Sequence, residues 1–526
     1  MNTQALRQKI LDLAIRGKLV PQDLNDEPAS VLLERIRNEK QQMVKDGKLK
    51  IKDIKGDTII FKGEDNLHYE KFQDGTVKCI EDEIPFEIPN SWAWTRICSI
   101  ATVKGGKRIP KGMTFSNKET NHAYIRVIDM KNDTVNLSNL KYIDDNVFET
   151  IQNYIVSKDD LYITIAGTIG VVGEIPLELD GMNLTENAAK ISAIEIEKSY
   201  LCLVLQSAYC QKQFHQKTYQ VAMPKLGLER ICSTLIPMCS LKTQKQILEY
   251  AKTALSSVNF IEKSKNSLAN SILCTKSKIL DLAIRGKLVP QDPNEEPASV
   301  LLERIQAEKE ELIKQGKIKR DKNDSVIFKG DDNSYYEKMG NKVTCIDDEI
   351  NFEIPESWMW VRLGTLFMHN TGKALNSSNT EGTELPYITT SNVYWDGFEL
   401  SNLKSMCFSE SEIEKCTVVK GDLLVCEGGD IGRSAIWNFD EPIRIQNHIH
   451  RLRAYLPLQT ELYYYFMYLY KRNGMITGNG IGLQGLSSKL LHSIIVPLPP
   501  INEQKNITTK IKVLFKNLQT MEQSFI

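Results

Sequence analysis

The chain repeats itself, and the repeat limits what it can fold into. Ile10–Ile36 reads ILDLAIRGKLVPQDLNDEPASVLLERI and Ile279–Ile305 reads ILDLAIRGKLVPQDPNEEPASVLLERI. They are identical at 25 of 27 positions; only Leu24/Pro293 and Asp26/Glu295 differ. The match continues through Phe61–Asn66 and Phe328–Asn333, FKGEDN against FKGDDN. It resumes in Glu83–Trp94 and Glu349–Trp360, EIPFEIPNSWAW against EINFEIPESWMW. A period of about 265 residues is far longer than the ~20–50 residues of a solenoid unit, so the chain is a duplicated pair of domains. Between the like blocks, Cys98–Cys239 and Gly364–Val496 share only fragments, such as Thr168-Ile-Gly170 with Asp430-Ile-Gly432. The connecting blocks do one job twice, and the divergent domains each do their own.

Leu241–Ala283 has helical composition and an apolar seam: Ile247, Ala251, Ala254, Val258, Ile261, Lys265, Leu268, Ile272, Thr275, Ile279, Leu282. Alternating steps of four and three are the coiled-coil spacing. Ile507, Ile511, Leu514, Leu518, Met521 and Phe525 repeat it. Aligning the repeats sets Ile526 opposite Asn266 and Met1 opposite Asn270. The C-terminal and N-terminal helices together therefore equal the central helix with a break in it. The two ends of the chain are expected to meet, closing a pseudo-twofold ring. Antiparallel pairing of about 43 residues would make a rod of roughly 65 Å. Gly17 or Gly286, with Pro21 or Pro290 beyond, supplies the stop signals. A second helix follows over Ser30–Lys45 and Ser299–Gln315, with Ser30 and Ser299 at the cap or first turn. Lys48–Lys55 and Lys317–Lys322 read as basic, loop-like connectors.

The divergent domains read as mixed helix and strand. Tyr124-Ile-Arg-Val-Ile and Leu423-Leu-Val-Cys suggest strands, and Tyr200–His215 and Glu461–Lys471 suggest helices. Net charge is −1, from 66 Lys plus Arg against 67 Asp plus Glu. This excludes a uniformly basic protein but not local basic loops. Lys104, Lys107, Arg108 and Lys111 lie in one acid-free stretch, and Asn370 and Lys373 sit at the equivalent place in the other copy. Lysine and arginine supply phosphate contact; arginine, asparagine and glutamine supply base-edge readout. On this basis Thr168 in a glycine-rich turn, Asn187, Lys225, Arg433, Asn447, His448 and Gln484 complete the candidate DNA-contact set. Any one of them is ordinarily a surface-loop residue; the set carries the reading.

No P-loop and no HExxH occurs, and His448 and His450 lack further ligands at metal spacing. No Asn-Pro-Pro-Tyr or Asp-Pro-Pro-Tyr tetrapeptide, which grips a flipped base in amino-methyltransferases, is present. The 11 cysteines form no CxxC pair, which fits free thiols in a reducing cytoplasm. No apolar run reaches the ~18 residues of a membrane span, and MNTQALRQKI has no signal core. A catalytic site and a metal are not expected.

With the near-identical ILDLAIRGKLVPQ blocks, EIPxSWxW at Trp94 and Trp360, and VPLPPINEQ at Val496–Gln504 (degraded at Ile236–Gln244), the chain resembles the specificity subunit of type I restriction-modification enzymes over essentially its whole length. The resemblance implies an α+β fold with two mixed α/β target recognition domains. A long antiparallel two-helix coiled-coil spacer separates them in a pseudo-twofold circular repeat. It divides the chain into 1–46 (N-terminal helical region), 47–97 (connector), 98–240 (first recognition domain), 241–315 (central helical region), 316–363 (connector), 364–500 (second recognition domain) and 501–526 (C-terminal helix). It implies a non-catalytic cytoplasmic reader of an asymmetric bipartite site in double-stranded DNA. The partners implied are two modification subunits, which methylate adenine with S-adenosylmethionine, and restriction subunits using ATP and Mg; no cofactor is expected on this chain. Two other readings stand beside it. One is an autonomous nuclease or methyltransferase, against which the absent motifs argue. The other is a purely structural coiled-coil organiser, which would show no DNA sequence preference.

The ring has a direct test. A permutant joining residue 526 to residue 1 and opened near residue 267 is expected to fold and function as the parent does; failure to fold would contradict the ring.

Overall fold

The computed structural model describes residues 2–23, 25–216, 224–320, 324–375, 381–478 and 485–524. It divides into two compact units, Met1–Lys265 and Asn266–Ile526. Leu24, Phe525 and both terminal residues lie outside the described residues.

Unit 1 opens with α1 (Thr3–Ile15), capped by the Asn2 side chain, which accepts from Ala5 N at 3.0 Å. The helix stops at Gly17, whose φ of +65° lets Lys18 N donate back to Leu13 O at 2.9 Å. Glycine is required there twice over, by the left-handed backbone and because a Cβ would lie 2.5 Å from Pro89 Cγ. Gln22 Nε2 donates to Gly17 O (2.7 Å), and Trp92 Nε1 donates to Gln22 Oε1 (3.1 Å). The helix end thus seats on the Pro89–Trp92 motif. In α2 (Ala29–Lys45) the N-cap is Pro28, without a side-chain cap, so Ser30 is a first-turn residue. Its buried face, Ala29, Leu32 and Ile36, ends in Lys40, only 1% exposed. The Lys40 ammonium donates to Asp57 (2.7 Å) and to Cys98 O (2.5 Å). The stretch Lys48–Lys55 is not all loop: Ile51–Ile54 forms one helical turn.

A three-stranded hairpin sheet follows: β1 (Ile59–Lys62), β2 (His68–Lys71) and β3 (Val77–Cys79). Then come β4 (Ala93–Arg96), β5 (Ala101–Gly105), β6 (Ala123–Ile125), β7 (Asp160–Thr164), β8 (Val172–Glu174), β9 (Asn183–Leu184) and β10 (Ala188–Ala193). The main antiparallel sheet has order β8-β7-β10-β5, and β9 runs parallel to β6. The Tyr124 stretch is strand only to Ile125, and Val127–Asp129 is a 3-10 turn. Tyr200–His215 is two helices, α3 (Lys198–Gln206) and α4 (Ala208–Gln216), broken at Ser207. Strand β11 (Leu235–Met238) returns antiparallel to β4 and leads into α5 (Leu241–Ile284), 44 residues long. Along α5 every seam residue except Thr275 is buried or half-buried. Within unit 1, Arg7 of α1 meets Asn259 (2.5 Å) and Glu262 (3.8 Å) of α5.

Unit 2 rebuilds the same fold from largely different residues. Helix α6 (Ala298–Lys314) has Pro297 as its N-cap, so Ser299 too is a first-turn residue. It leads to a second hairpin sheet, β12 (Val326–Lys329), β13 (Tyr335–Met339) and β14 (Lys342–Cys345), and to β15 (Met359–Arg362). Strands β16 (Phe367–Thr371), β17 (Thr383–Ile388), β18 (Leu423–Cys426), β19 (Ser434–Ile436), β20 (Ile443–Ile445) and β21 (Ile449–Ala454) follow. The main sheet is β19-β18-β21-β16, and β20 runs parallel to β17. Helix α7 (Thr460–Arg472) packs on this sheet. Strand β22 (Ile495–Leu498) pairs with β15 and leads into α8 (Ile501–Ser524). Within this unit Lys276 of α5 lies 5.8 Å over the Phe515 ring of α8. Gly286 repeats Gly17, with φ +66° and Pro355 beneath it. Among the described residues no helix is long and apolar enough to cross a membrane, and all 11 cysteines are free thiols.

The connectors carry matching buried ion clusters. Arg96 donates to Glu70 (2.7 and 3.0 Å), Glu83 (2.8 Å) and Ser233 O (2.9 Å). Arg362 donates to Glu337 (2.6 and 2.9 Å), Glu349 (2.6 Å) and Ser493 O (2.6 Å). The degraded copy of the VPLPPINEQ motif keeps the residue that matters: Gln244 and Gln504 are both fully buried. Gln244 donates to Cys239 O (2.9 Å) and accepts from Glu197 N (3.0 Å); Gln504 donates to Pro499 O (2.9 Å) and accepts from Gln459 N (3.2 Å). The difference Asp26/Glu295 follows its partners. Asp26 accepts from the Ser240 and Thr243 hydroxyls, whereas Glu295 accepts from the backbone of Asn502 (2.6 Å) and Glu503 (3.2 Å) at the start of α8.

Removing one partner of a buried pair leaves an uncompensated charge. Asp57→Ala is expected to destabilise unit 1 by about 3–5 kcal/mol in denaturant unfolding. Lys40→Met added to Asp57→Ala should recover most of that loss.

Candidate nucleic-acid interface

In each unit the loops at one end of the main sheet are tied by one pattern of backbone hydrogen bonds. In unit 1, Lys107 N donates to Leu184 O (2.9 Å), Thr185 N to Ile125 O (3.0 Å), Ile165 N to Asn187 O (2.8 Å) and Leu226 N to Ile165 O (2.9 Å). In unit 2, Lys373 N donates to Ile445 O (3.0 Å), Gln446 N to Ile388 O (3.0 Å), Glu427 N to His448 O (2.9 Å) and Leu486 N to Glu427 O (2.8 Å). The correspondence makes Lys107 equivalent to Lys373, Glu186 to Asn447 and Asn187 to His448. Glycine is obligatory where the strands cross: a Cβ on Gly106 would lie 2.2 Å from Thr185 O, and one on Gly372 would lie 1.9 Å from Ile445 O.

This frame gathers most of the candidates. Lys104, on β5 opposite Lys190 of β10, is exposed, as are Lys107, Lys111, Thr168 and Lys225. Lys225 bridges to Ala166 of the glycine turn, and Lys107 stands 5.5 Å over the Tyr154 ring. Arg108 is 77% exposed and donates from Nε to Glu186 at 2.6 Å. Asn187 is half-buried beside them.

Unit 2 departs from the expectation. The Lys373 side chain is 8% exposed and donates to Glu412 (2.7 Å) and Cys407 O (2.8 Å). Its charge is consumed inside the domain, because burial in this sheet demands a counterion, so Lys373 is not placed to meet a phosphate. Arg433 is likewise engaged, donating to Thr390 O (2.6 Å) beneath the Tyr394 ring. Asn370 is half-buried opposite Arg451. Asn447 remains on the turn, and His448 is exposed with Nδ1 3.3 Å from Glu427. Gln484 and the rest of 479–484 lie outside the described residues.

Acidic and aromatic groups also stand on this frame, where composition pointed only to cations. Burial would raise the Glu186 carboxyl, but the Arg108 and Thr185 hydrogen bonds hold it below its usual range. Tyr124 donates to Lys107 O at 2.8 Å, and burial pushes its hydroxyl up to about 12, so it stays a neutral donor. The carboxylate that Arg108 meets had no signature in the sequence, since the two are separated by 78 residues.

His448 is exposed, whereas His450 is fully buried. Its Nε2 donates to Leu486 O (2.7 Å), which leaves Nδ1 to accept from His369 Nε2 (2.9 Å). The His369 ring stands edge-on to His492 at 4.8 Å. Among the described residues no group of three or more His, Cys, Asp or Glu side chains is placed to hold a metal.

Residues 89–270 and 355–524 match the family described as "Type I restriction modification DNA specificity domain". The chain is 27% identical over 589 residues to the type I restriction enzyme EcoAI specificity subunit of Escherichia coli, spanning 98% of this chain and 90% of that one. It is 29% identical over 414 residues to the EcoEI specificity subunit of the same organism, spanning 69% and 61%. Among solved structures, a chain in "Structural basis underlying complex assembly and conformational transition of the type I R-M system" is similar in fold. Its TM-score is 0.54 at 15% identity, with 84% of this chain and 94% of that one covered.

The histidine cluster gives unit 2 a pH dependence. Burial, then His450 and His492, hold His369 down to about 3 against an ordinary 6.5; burial also lowers His450. The unfolded chain therefore takes up protons first. Stability is complete above pH ~6.5 and declines as pH falls toward 3, with His369 alone worth about 2 kcal/mol by pH 5. Denaturant unfolding at pH 7.5 and 5 should show the loss, and His369→Gln should reduce it.

Proposed function

Because the chain belongs to the family of type I restriction-modification DNA specificity subunits, we propose that it is the non-catalytic DNA-reading subunit of such a complex, with each unit reading one half of an asymmetric bipartite site. The observation that carries this is the shared backbone frame bearing unlike side chains at its tips: Glu186-Asn187 in one unit, Asn447-His448 in the other. A rigid frame sets position; what it presents sets sequence. The recognition domains span 98–240 and 364–500 in this reading, and 47–97 and 316–363 connect them to the helical regions.

The like blocks dock two copies of one partner, the modification subunit, which carries S-adenosylmethionine and the methyl transfer. Restriction subunits with ATP and Mg complete the complex. Support comes from the two hairpin sheets. On one, Ile59, Phe61 and Val77 are exposed; on the other, Val326, Phe328 and Val343 are exposed. Phe61 stacks on Tyr69 and Phe328 on Tyr336, with centroids 5.9 Å apart in each case. An apolar face repeated while the readers diverge is an interface in use twice. Helix α5 pairs antiparallel with α1 and α8 as the coiled-coil spacer that sets the unread gap between half-sites; the seam residues buried along α5 support this.

Exchanging 98–240 for the corresponding domain of another family member is expected to alter one half of the methylated motif, read by modification-sensitive sequencing. A change in both halves would contradict the two-reader model.

A further inference from the structure

We propose that Glu186 and Asn447 are the paired base-reading positions of the two units, an assignment that rests on the DNA-reading function above. Both sit in the middle of the same turn. On one side the turn is fixed by Thr185 N to Ile125 O (3.0 Å) or Gln446 N to Ile388 O (3.0 Å). On the other it is fixed by Ile165 N to Asn187 O (2.8 Å) or Glu427 N to His448 O (2.9 Å). The backbone of these two residues is therefore held from both neighbours in the same way. Asn447 N adds a bond to Lys373 O (3.0 Å); the main difference is the side chain, which is what a reader of two unlike half-sites requires.

The chemistry of each side chain names what it reads. Glu186 accepts from Arg108 (2.6 Å) and follows the Leu184-Thr185 segment whose Leu184 O accepts from Lys107 N, on the surface that otherwise suits phosphate. A carboxylate there is repelled by the DNA backbone, a cost offset only where it accepts a hydrogen bond from a base. In the major groove only the cytosine N4 and adenine N6 amino groups supply one. Arg108, its present partner, is 77% exposed, and an ion pair that exposed is held weakly. On DNA the guanidinium turns to a phosphate and the carboxylate to a base amino group. Asn447 carries a donor and an acceptor together, and its amide has no side-chain hydrogen bond among the described residues; that pairing fits adenine N6 and N7. The competing role for Glu186 is internal, fastening Thr185 Oγ1 (3.0 Å) and Tyr124 Oη (3.4 Å).

The test uses the full chain assembled with its modification subunits. Matched duplexes and duplexes changed at single base pairs are bound at fixed salt, and the methylated motif is read by modification-sensitive sequencing. Glu186→Gln is expected to lower discrimination at one base pair of one half-site by about 5- to 150-fold, the range of a good base contact, and to leave the other half-site untouched. Asn447→Asp should do the same in the other half-site only. Glu186→Asp, which keeps the charge but shortens the reach, should lose the same preference. Arg108→Ala should weaken all duplexes alike and reduce the salt slope by about one. Uniform weakening by Glu186→Gln, or full retention of the motif, would overturn the assignment and leave Glu186 a fastener. A wild-type complex indifferent to sequence would instead sink the reading function, and this assignment with it.

Discussion

Each unit hangs on one contact: a left-handed glycine at a helix end pressed against a proline-tryptophan motif some seventy residues on. Gly17 meets Pro89 and Trp92, and Gly286 meets Pro355 and Trp358. No other residue type satisfies both the backbone conformation and the lack of space. The indole nitrogens then fasten the next layer, Trp92 on Gln22 and Trp358 on Glu503 at 2.8 Å. Helix direction, connector placement and the start of the recognition sheet all follow from that seat. This accounts for near-identity in the blocks that form the seat.

Beyond the seat, the duplicated parts trade apolar burial for paired charge. Lys40 with Asp57 and Arg96 with Glu70 lie where the connector enters the domain, and Lys309 with Asp324 and Arg362 with Glu337 repeat them. Such pairs add little net stability over apolar packing, but breaking one is costly. The near-zero net charge thus reflects acids placed against buried cations, Glu83 and Glu349 included, leaving exposed lysines at the tips of unit 1.

The sequence made the duplication, the long seam and the family legible, because those signals are local or repeat over a fixed offset. Helix bounds fell within a residue or two where periodicity was strong, as in α5 and α7. They failed at Ser207, where one apolar run is folded into two helices by tertiary contact. Among the candidate contacts, Lys104, Lys107, Lys111 and Lys225 of unit 1 are exposed. Lys373 lies on the same frame but its side chain is buried, because its fate depends on Glu412, 39 residues away. Glu186 was invisible for the same reason: a search for cations passes over the acid that a fold brings to them.

The exchange of Asp26 for Glu295 bears on inheritance. Two tracts nearly identical over 27 residues can exchange short stretches of sequence with one another, and most such exchanges would be silent in the folded protein. This position is not silent. An aspartate delivered to the second copy falls one methylene short of the amides of Asn502 and Glu503, and a glutamate delivered to the first crowds Ser240 and Thr243. Recombination that carries each carboxylate with its own partners is tolerated, whereas recombination that separates them is penalised. The fold therefore favours inheritance of whole reading units over fragments of them.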